Sequence, residues 1–509
     1  MSEIIRKSLP LKALIDNVKC DIHLVSGDID KKIVSVEYDS RKVNDKALFV
    51  AVPGFVTDGH LYVKDAISKG VGAVVVSDSK AAEFKDIKNN GTVILASHDT
   101  RRALSAFSAE IFGNPTSKVP VIGVTGTNGK TSITYMIETV LKDFGMTPGV
   151  VGTVNYRWKQ KTVNAPNTTP ESRDLQEIFA NMVSDGVNVI VMEASSHALK
   201  LFRVEDIDFN IAAFTNLTRD HLDFHKTFED YFSSKNRIFQ LLEKSSKDNK
   251  AAIVNIDDEY GKKIIKDADF GYPFFGFGIN RDADYRIDES SISSSLAGVS
   301  YALEKPAGGI NIKLNVLGNF QIYNSLCAFA VCHKMGVPVN IIQKGLWDLK
   351  AIPGRFDSIK SKSGFNVIVD YAHTDDGVQK LLASAKELKP KRIITLLGCG
   401  GNRDKTKRPI MGKTAVVNSD WVIFTSDNPR DEDPDEIISD ITAGLSETNF
   451  EIITDREQAI KKAILTAKEG DLVVLAGKGH EDYQIIKGKK THFDDHEIAG
   501  KYIHEREKN

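Results

Sequence analysis

One short stretch constrains the fold of this 509-residue chain more than any other: Val121-Ile-Gly-Val-Thr-Gly-Thr-Asn-Gly-Lys-Thr-Ser132. An apolar, strand-like run leads into Gly126, Thr127, Asn128, Gly129, Lys130 and Thr131, and a helix-like segment opening with Ser132 follows. That order builds a phosphate cradle. Glycines let backbone N–H groups close around phosphate oxygens, Lys130 adds a point charge, and the Thr131 hydroxyl can ligate Mg²⁺. A glycine-lysine turn without chemistry is the plain alternative, but strand, loop, Lys-Thr and helix together read as nucleotide binding. The spacing is shorter than a standard Walker A loop, because Val124 stands five residues before Gly129 where a glycine would be. The short form points away from ordinary P-loop motors and switches.

The length exceeds what one hydrophobic core organises, and about three domains are expected. Hydrophobic residues at 41% and charged residues at 27% describe a globular protein in water. A formal net charge of -2 gives no reason to expect nucleic acid. Cys20, Cys327, Cys332 and Cys399 form no CxxC pair. They read as reduced thiols of a cytoplasmic protein, not as a disulfide framework or a zinc site. No apolar leader and no run long enough for a membrane span is visible, so soluble substrates are expected.

Short β-rich runs, at 32–38, 47–52 and 72–76, alternate with helix-like segments over residues 1–98 and describe a small N-terminal α/β domain. Asp99 or Thr100 then caps an amphipathic helix reaching Phe112, which Gly113-Asn-Pro115 stops. Further apolar runs at 119–125, 187–192, 209–214 and 250–255 alternate with helices. They predict a central domain, residues 99–348, with a mostly parallel sheet covered on both faces. The Ser- and Gly-rich stretch 280–315 predicts hairpins at its edge. Four more strand-like runs, at 365–370, 392–397, 421–425 and 471–476, predict a C-terminal Rossmann-like domain over 349–509. The fold class is therefore α/β in three domains.

Polar residues of suggestive chemistry end most of the apolar runs, where open α/β sheets bind ligands. Glu193 follows one strand and offers a carboxylate suited to Mg²⁺; alone it reads equally as a strand end before a helix cap. Asp220, His221 and Asp223 share a loop after another, although a lone histidine is more often structural. Asn167-Thr-Thr-Pro170 and Asn324 are weak signals taken singly. Asp370-Tyr-Ala-His373 again closes a strand. Gly398-Cys-Gly-Gly401 is not GxGxxG, so a dinucleotide is not expected, and the basic run Asn402 to Pro409 reads as a solvated loop or an anion contact. Asp427-Asn-Pro-Arg430 presents an arginine, the side chain suited to bidentate carboxylate binding. Gly477-Lys-Gly-His-Glu481 presents a glutamate. One loop with Arg and one with Glu suit a zwitterionic amino acid; salt-bridged loops are the plain alternative.

With these motifs in order, the chain resembles the Mur ligase family over nearly its whole length. The matching segments are Asp39-Ser-Arg41, Gly126 to Thr131, Asn167 to Pro170, Glu193 to Leu199, Arg219 to Asp223, Lys235, Asn255, Gly318 to Asn324, Pro353-Gly-Arg355, Asp370 to Thr374, Gly398 to Pro409, Asp427 to Arg430 and Gly477 to Glu481. The last two resemble the UDP-N-acetylmuramoyl-tripeptide synthetases of the meso-diaminopimelate-adding type. The resemblance implies an ATP-dependent ligase of peptidoglycan precursor synthesis, and so of cell-wall biogenesis, cell shape and cell division. The D-Glu carboxylate of UDP-MurNAc-L-Ala-D-Glu would attack the γ-phosphate of ATP. The resulting acyl phosphate would be captured by the amine of the third amino acid.

It also implies site roles. Lys130, Glu193, His221 and Lys235 would be catalytic. ATP would lie on Gly126 to Ser132, with Asn324 and Arg355. One Mg²⁺ would lie near Thr131 and Glu193, a second near His221 and Lys235. A lysine ammonium repels Mg²⁺, and in the family the equivalent lysine is carbamylated, which makes it an oxygen-bearing anion. From its helical setting alone, Lys235 reads as a surface residue. Tyr38, Ser40, Asn167, Thr168, Thr169, Ser195 and Arg203 match UDP-sugar contacts. Arg403, Asp427, Asn428, Pro429, Arg430, Gly477 and Glu481 match amino-acid contacts. Three positions depart from common family residues: Leu201, Gln321 and Asp375. The third amino acid is expected to be meso-diaminopimelate, because Arg430 and Asn428 suit its second carboxylate where L-lysine has only an ammonium. L-Lysine or another diamino acid is the alternative. Folylpolyglutamate synthase shares the short loop but typically has glycine where Thr131 stands, and a switch ATPase leaves two domains unexplained. A monomer is expected, with closure of the C-terminal domain over the central one.

Overall fold

The computed structural model describes residues 8–508 except 56, 86, 88–90, 222, 223, 296, 297 and 307. Two compact units emerge, one holding the chain up to Leu217 with His221–Gly276, the other Thr218–Asp220 with the chain from Phe277 onward.

The first unit contains two main sheets besides the short antiparallel pair Leu9–Pro10 with Lys32–Ile33. The N-terminal one runs in the order His23–Ser26, Val93–Ser97, Ala73–Ser77, Ala47–Val50, Ser35–Glu37, parallel except for its first strand. Period-2 alternation splits each strand between two cores. Leu48, Val50, Val75 and Leu95 pack on Leu104 and Phe107 of helix Thr100–Ile111, while Phe49, Val74 and Ile94 pack on Val63 and Ile67. Asp99 caps that helix by accepting from the Arg101 and Arg102 amides at 2.9 and 3.3 Å.

The other sheet of this unit carries the phosphate loop. Its order is Lys161–Asn164, Asn155–Trp158, Pro148–Val151, Val189–Glu193, Val121–Thr125, Ile211–Phe214, Ala251–Asn255. The last five are parallel and the first two form an antiparallel hairpin. Val121–Thr125 lies between Val189–Glu193 and Ile211–Phe214, with Val124 level with Glu193 and Thr125 level with Phe214. This register delivers three strand-end loops to one place. Gly123 lets the sheet approach its covering helix closely; a Cβ there would lie 2.6 Å from the Phe209 ring.

The second unit opens with an antiparallel meander, Tyr285–Ser295, Gly298–Lys305 and Ile310–Leu314, as the patterning of 280–315 predicts. Its main sheet runs Asp357–Lys360, Asn366–Asp370, Asp471–Ala476, Arg392–Leu397, Trp421–Phe424, Phe450–Ile452, parallel apart from the first strand. Ile368, Leu397 and Val474 face one helical layer; Val367, Ile394 and Val473 face the other. The domain is doubly wound. The hairpin Tyr483–Ile486 with Lys489–His492 was not expected from sequence. No helix among the described residues is long and apolar enough to cross a membrane.

Candidate active site

In the first unit, Gly126 and Gly129 adopt φ of +142° and +91°, which side chains with a Cβ rarely allow. A Cβ on Gly126 would overlap the Thr215 hydroxyl. Helix Lys130–Asp143 starts directly after Gly129, so its free amides and positive dipole end face the loop. The neighbouring strand end braces the loop. The Thr127 amide donates to Asn216 O at 2.9 Å, the Asn128 amide to Asn216 Oδ1 at 3.0 Å, and the Thr215 hydroxyl to Asn128 O at 2.6 Å.

Lys130 Nζ donates to the Gly126 and Thr127 carbonyls at 2.8 and 2.9 Å. Lys235, on helix Phe228–Lys244, reaches the same Gly126 oxygen at 2.7 Å. It is only 1% exposed and lies over the Tyr231 ring at 4.6 Å. The surface placement read from its helical setting is therefore wrong: helix curvature and period carry its face into the sheet, not into water. Two ammonium groups on one carbonyl oxygen create a strongly positive floor.

Glu193, also buried, accepts from the Thr153 amide at 2.9 Å and the Thr153 hydroxyl at 2.8 Å. Gly152 makes room for it, since a Cβ there would overlap the carboxylate. The Thr153 hydroxyl also meets Thr168 Oγ1 at 3.1 Å, and Thr169 Oγ1 donates to Glu193 O at 2.7 Å. Ser195 accepts from the Ala198 amide through its hydroxyl, and Arg203 donates to Thr169 O at 3.2 Å. Asn167, Thr168, Thr169, Ser195 and Arg203 are thus brought together around Glu193. Tyr38 and Ser40 do not join them by direct contact. Tyr38 donates to Asp174 at 2.6 Å and Ser40 to Asp65 at 2.9 Å.

His221 holds a left-handed backbone, φ +52°, which a non-glycine residue adopts at a cost of roughly 1 kcal/mol or more. Its ring meets His197 edge-on at 4.9 Å, and His197 stacks on Phe224. Asp220 groups with the other unit, and Asp223 lies outside the described residues. His225, unremarked in the sequence reading, is fully buried. It shares a hydrogen bond with Ser196 at 2.9 Å, and burial pushes its pKa down to about 4.

As a test of metal fit, Thr131 and Glu193 present hard oxygen donors near the phosphate loop and suit Mg²⁺. Lys235 as an ammonium does not; it donates to a carbonyl and cannot ligate.

In the second unit, the predicted amino-acid loops converge. Asn428 Nδ2 donates to Glu481 at 2.6 Å, and Asn428 Oδ1 accepts from the Ile485 amide at 2.9 Å. The Gly401 amide donates to Asn428 O, and Arg430 Nη1 donates to Gly401 O at 2.5 Å. Gly477, at φ +115°, leaves room for the Asp427 carboxylate, which a Cβ would approach to 2.6 Å. Pro429 and Asp427 complete the turn. Burial, then the neighbouring Asp427 charge, raise the Glu481 carboxyl pKa. An ammonium group arriving there would relieve both. Arg403 is exposed on its loop. Arg355 lies over the Tyr371 ring at 5.0 Å, and Asn324 donates to Gln321 at 2.9 Å, so the unusual Gln321 still supports it. Asp375 opens helix Asp375–Glu387, where a carboxylate suits the dipole.

Three family matches cover most of this chain: the Mur ligase family catalytic domain at residues 32–111, the Mur ligase middle domain at 124–332 and the Mur ligase glutamate ligase domain at 354–479. UDP-N-acetylmuramoyl-L-alanyl-D-glutamate--2,6-diaminopimelate ligase 1 of Clostridium acetobutylicum is 41% identical over 499 residues, 98% of this chain and 100% of that protein. The chain is a Mur ligase. The corresponding ligase of Clostridium botulinum is 43% identical over 477 residues, covering 93% and 96%. A solved structure of a ligase of the same name superposes with a TM-score of 0.71 at 29% identity, covering 98% of this Mur ligase and 100% of that chain.

Sequence reasoning missed two supports of this Mur ligase's amino-acid loops. Arg408, in the basic run read as either a solvated loop or an anion contact, is buried and grips two of the protein's own carboxylates, Glu432 at 2.9 and 3.0 Å and Asp440 at 2.8 Å. Its guanidinium holds the Glu432 carboxyl down to about 2. The Asn402 amide donates to that carboxylate, so Arg408 anchors the 398–403 turn beside Arg430. The hairpin at 483–492 is the other support: Arg430 N donates to Ile485 O and Lys487 N to Arg430 O. Those bonds hold Arg430 at φ +53°.

Proposed function

We infer that this Mur ligase uses ATP to join meso-diaminopimelate to UDP-MurNAc-L-Ala-D-Glu in peptidoglycan precursor synthesis. The observation that carries the choice of amino acid is the joined Asn428–Glu481 pair with Arg430 beside it. It offers one anion and one cation, separated by an amide, to a ligand bearing an ammonium and a second carboxylate. The relatives' names support the same substrates.

Lys130 and the loop amides bind the β- and γ-phosphates and stabilise the charge that develops in transfer. A D-Glu carboxylate oxygen attacks the γ-phosphorus, and ADP leaves. The amine of diaminopimelate then attacks the acyl carbon, and inorganic phosphate departs with that carboxylate oxygen. Thr131 and Glu193 hold Mg²⁺, which neutralises phosphate charge when bound. Lys235 would be carbamylated in the working enzyme: its neutral amine adds to CO₂, a C–N bond forms and a proton leaves to solvent, so a cation becomes an oxygen-bearing anion. Its burial beside the phosphate loop, on the same Gly126 oxygen as Lys130, supports this. With His221 the carbamate would hold a second Mg²⁺. Asn324 and Arg355 contact the nucleotide. Tyr38, Ser40, Asn167, Thr168, Thr169, Ser195 and Arg203 hold the UDP-sugar dipeptide. Arg403, Asp427, Asn428, Pro429, Arg430, Gly477 and Glu481 hold the amino acid.

Domain boundaries at 98/99 and 348/349 form part of the proposal. The second falls in the gap between family matches, at 332–354; the first divides helix Thr100–Ile111 from the N-terminal sheet on which it packs, and the N-terminal family match runs on to residue 111. The protein works as a cytoplasmic monomer.

Substrate carrying ¹⁸O in the D-Glu carboxylate tests the mechanism. Label appearing in the released phosphate is expected; unlabelled phosphate from a productive ligation overturns the acyl phosphate.

A further inference from the structure

We propose that Arg456 and Asp495 form a positioning pair that sets the spacing of the two amino-acid-binding loops and thereby the preference for one diamino acid over another. The proposal rests on the placement of the amino-acid site at those loops.

The two loops leave strands that are not neighbours. Asp471–Ala476 and Trp421–Phe424 are separated in the sheet by Arg392–Leu397, so no ladder bond between them fixes their separation. Arg456 spans the gap. Its Nη1 donates to Ser426 O at 3.3 Å and its Nη2 to Ala476 O at 3.2 Å. Those carbonyls immediately precede Asp427 and Gly477, the first residues of the two loops. Gly398 permits the convergence at the end of the intervening strand, because a Cβ there would lie 2.6 Å from Thr425 O and 3.1 Å from Asp427 N.

Asp495 completes the device. Its carboxylate receives Arg456 Nε at 2.8 Å and Nη2 at 2.6 Å, and both side chains are 0% exposed. A wholly buried ion pair is poor value as a stabiliser, since well-packed apolar residues often do as well or better. What it supplies is geometry: a planar guanidinium oriented by a bidentate carboxylate presents its remaining N–H groups in fixed directions. Burial works against the Arg456 charge, but Asp495 together with Asp427 and Glu481 more than offsets it and raises the Arg456 pKa. The pair therefore lies electrostatically beneath the two carboxylates proposed to meet the substrate ammonium. Removing Asp495 alone would leave a bare cation under that site.

The double variant Arg456→Met, Asp495→Leu removes the pair without stranding a charge. It is expected to melt within about 5 °C of the parent. Its KM for meso-diaminopimelate should rise roughly tenfold, as loop misplacement predicts. Its preference for meso-diaminopimelate over L-lysine should fall by a similar factor, while the KM values for ATP and the UDP-dipeptide stay within about twofold. An unchanged KM and preference, or a parallel rise in all three KM values, overturns the proposal. Arg456→Lys, which keeps the charge but loses the fork, is the second variant, and a wild-type KM and preference there overturns it too. Hydrogen exchange on the unmodified enzyme needs no variant: meso-diaminopimelate should protect 426–430 and 477–481 together, and protection of one loop alone contradicts the coupling. Arg430→Ala run in parallel separates the two levels. If it raises the KM and the pair variants do not, the positioning role falls and the site stands. If it too leaves the KM unchanged, the site is misplaced and the proposal falls with it.

Discussion

Lys130 and Lys235 both donate to the Gly126 carbonyl oxygen and bring two cations to the phosphate loop. Carbamylation of Lys235 is the proposal made for that site. With ¹³C-bicarbonate and nucleotide, one carbamate carbon signal is expected that Lys235→Arg abolishes; a signal surviving that change contradicts the assignment. Arg430 makes a second residue-scale prediction. A charged hydrogen bond to the far carboxylate contributes about 2 kcal/mol, so Arg430→Ala should raise the KM for meso-diaminopimelate roughly thirtyfold and leave that for ATP unchanged. Steady-state kinetics with each substrate varied checks it. Glu193, Asp427 and Glu481 stand out in the sequence because each closes or follows an apolar run, and the structure places each at a strand end or in the loop after it. Burial was not legible at Lys235 or Arg408, because a buried cation in a helix carries the same local pattern as a solvated one.

Strand-end loops do the functional work at the next scale, and His221, Asn402 and Arg430 in them hold a left-handed backbone that a non-glycine residue rarely adopts. The hairpin Tyr483–Ile486 with Lys489–His492 is what holds Arg430. Ile485→Pro removes the amide that Asn428 Oδ1 accepts. The expected result is a KM for the amino acid raised by about tenfold with ADP affinity unaltered, measured by kinetics and nucleotide titration. Alternation of apolar runs with helices sufficed to read both parallel sheets, because buried central strands are continuous stretches such as Val189–Glu193 and Asp471–Ala476. The hairpins 155–164 and 483–492 escaped, since Lys161–Asn164 and Lys489–His492 are polar, exposed edge strands with no core face to mark them.

For the whole molecule, stability should depend on pH through the buried imidazole of His225 and the half-buried one of His480. Burial pushes His225 and His480 down to about 4 from the usual 6.5. The unfolded chain takes up these protons below about 6.5 while the folded protein does not until about 4. Stability present above 6.5 is therefore lost as the pH falls through that window. Urea unfolding at stepped pH should show this, and His480→Gln should flatten the profile by on the order of 2 kcal/mol; an unchanged slope refutes the assignment. The two candidate sites lie in different compact units, a division already visible in the phosphate loop near residue 130 and the Arg430 loop three hundred residues later. In the proposed reaction the two sites jointly make one amide bond, and phosphate release over a panel of amino acids is the decisive test. Release should require both the UDP-dipeptide and meso-diaminopimelate and be far slower with L-lysine. Release without an amino acid, or equal rates with L-lysine, would contradict that reaction.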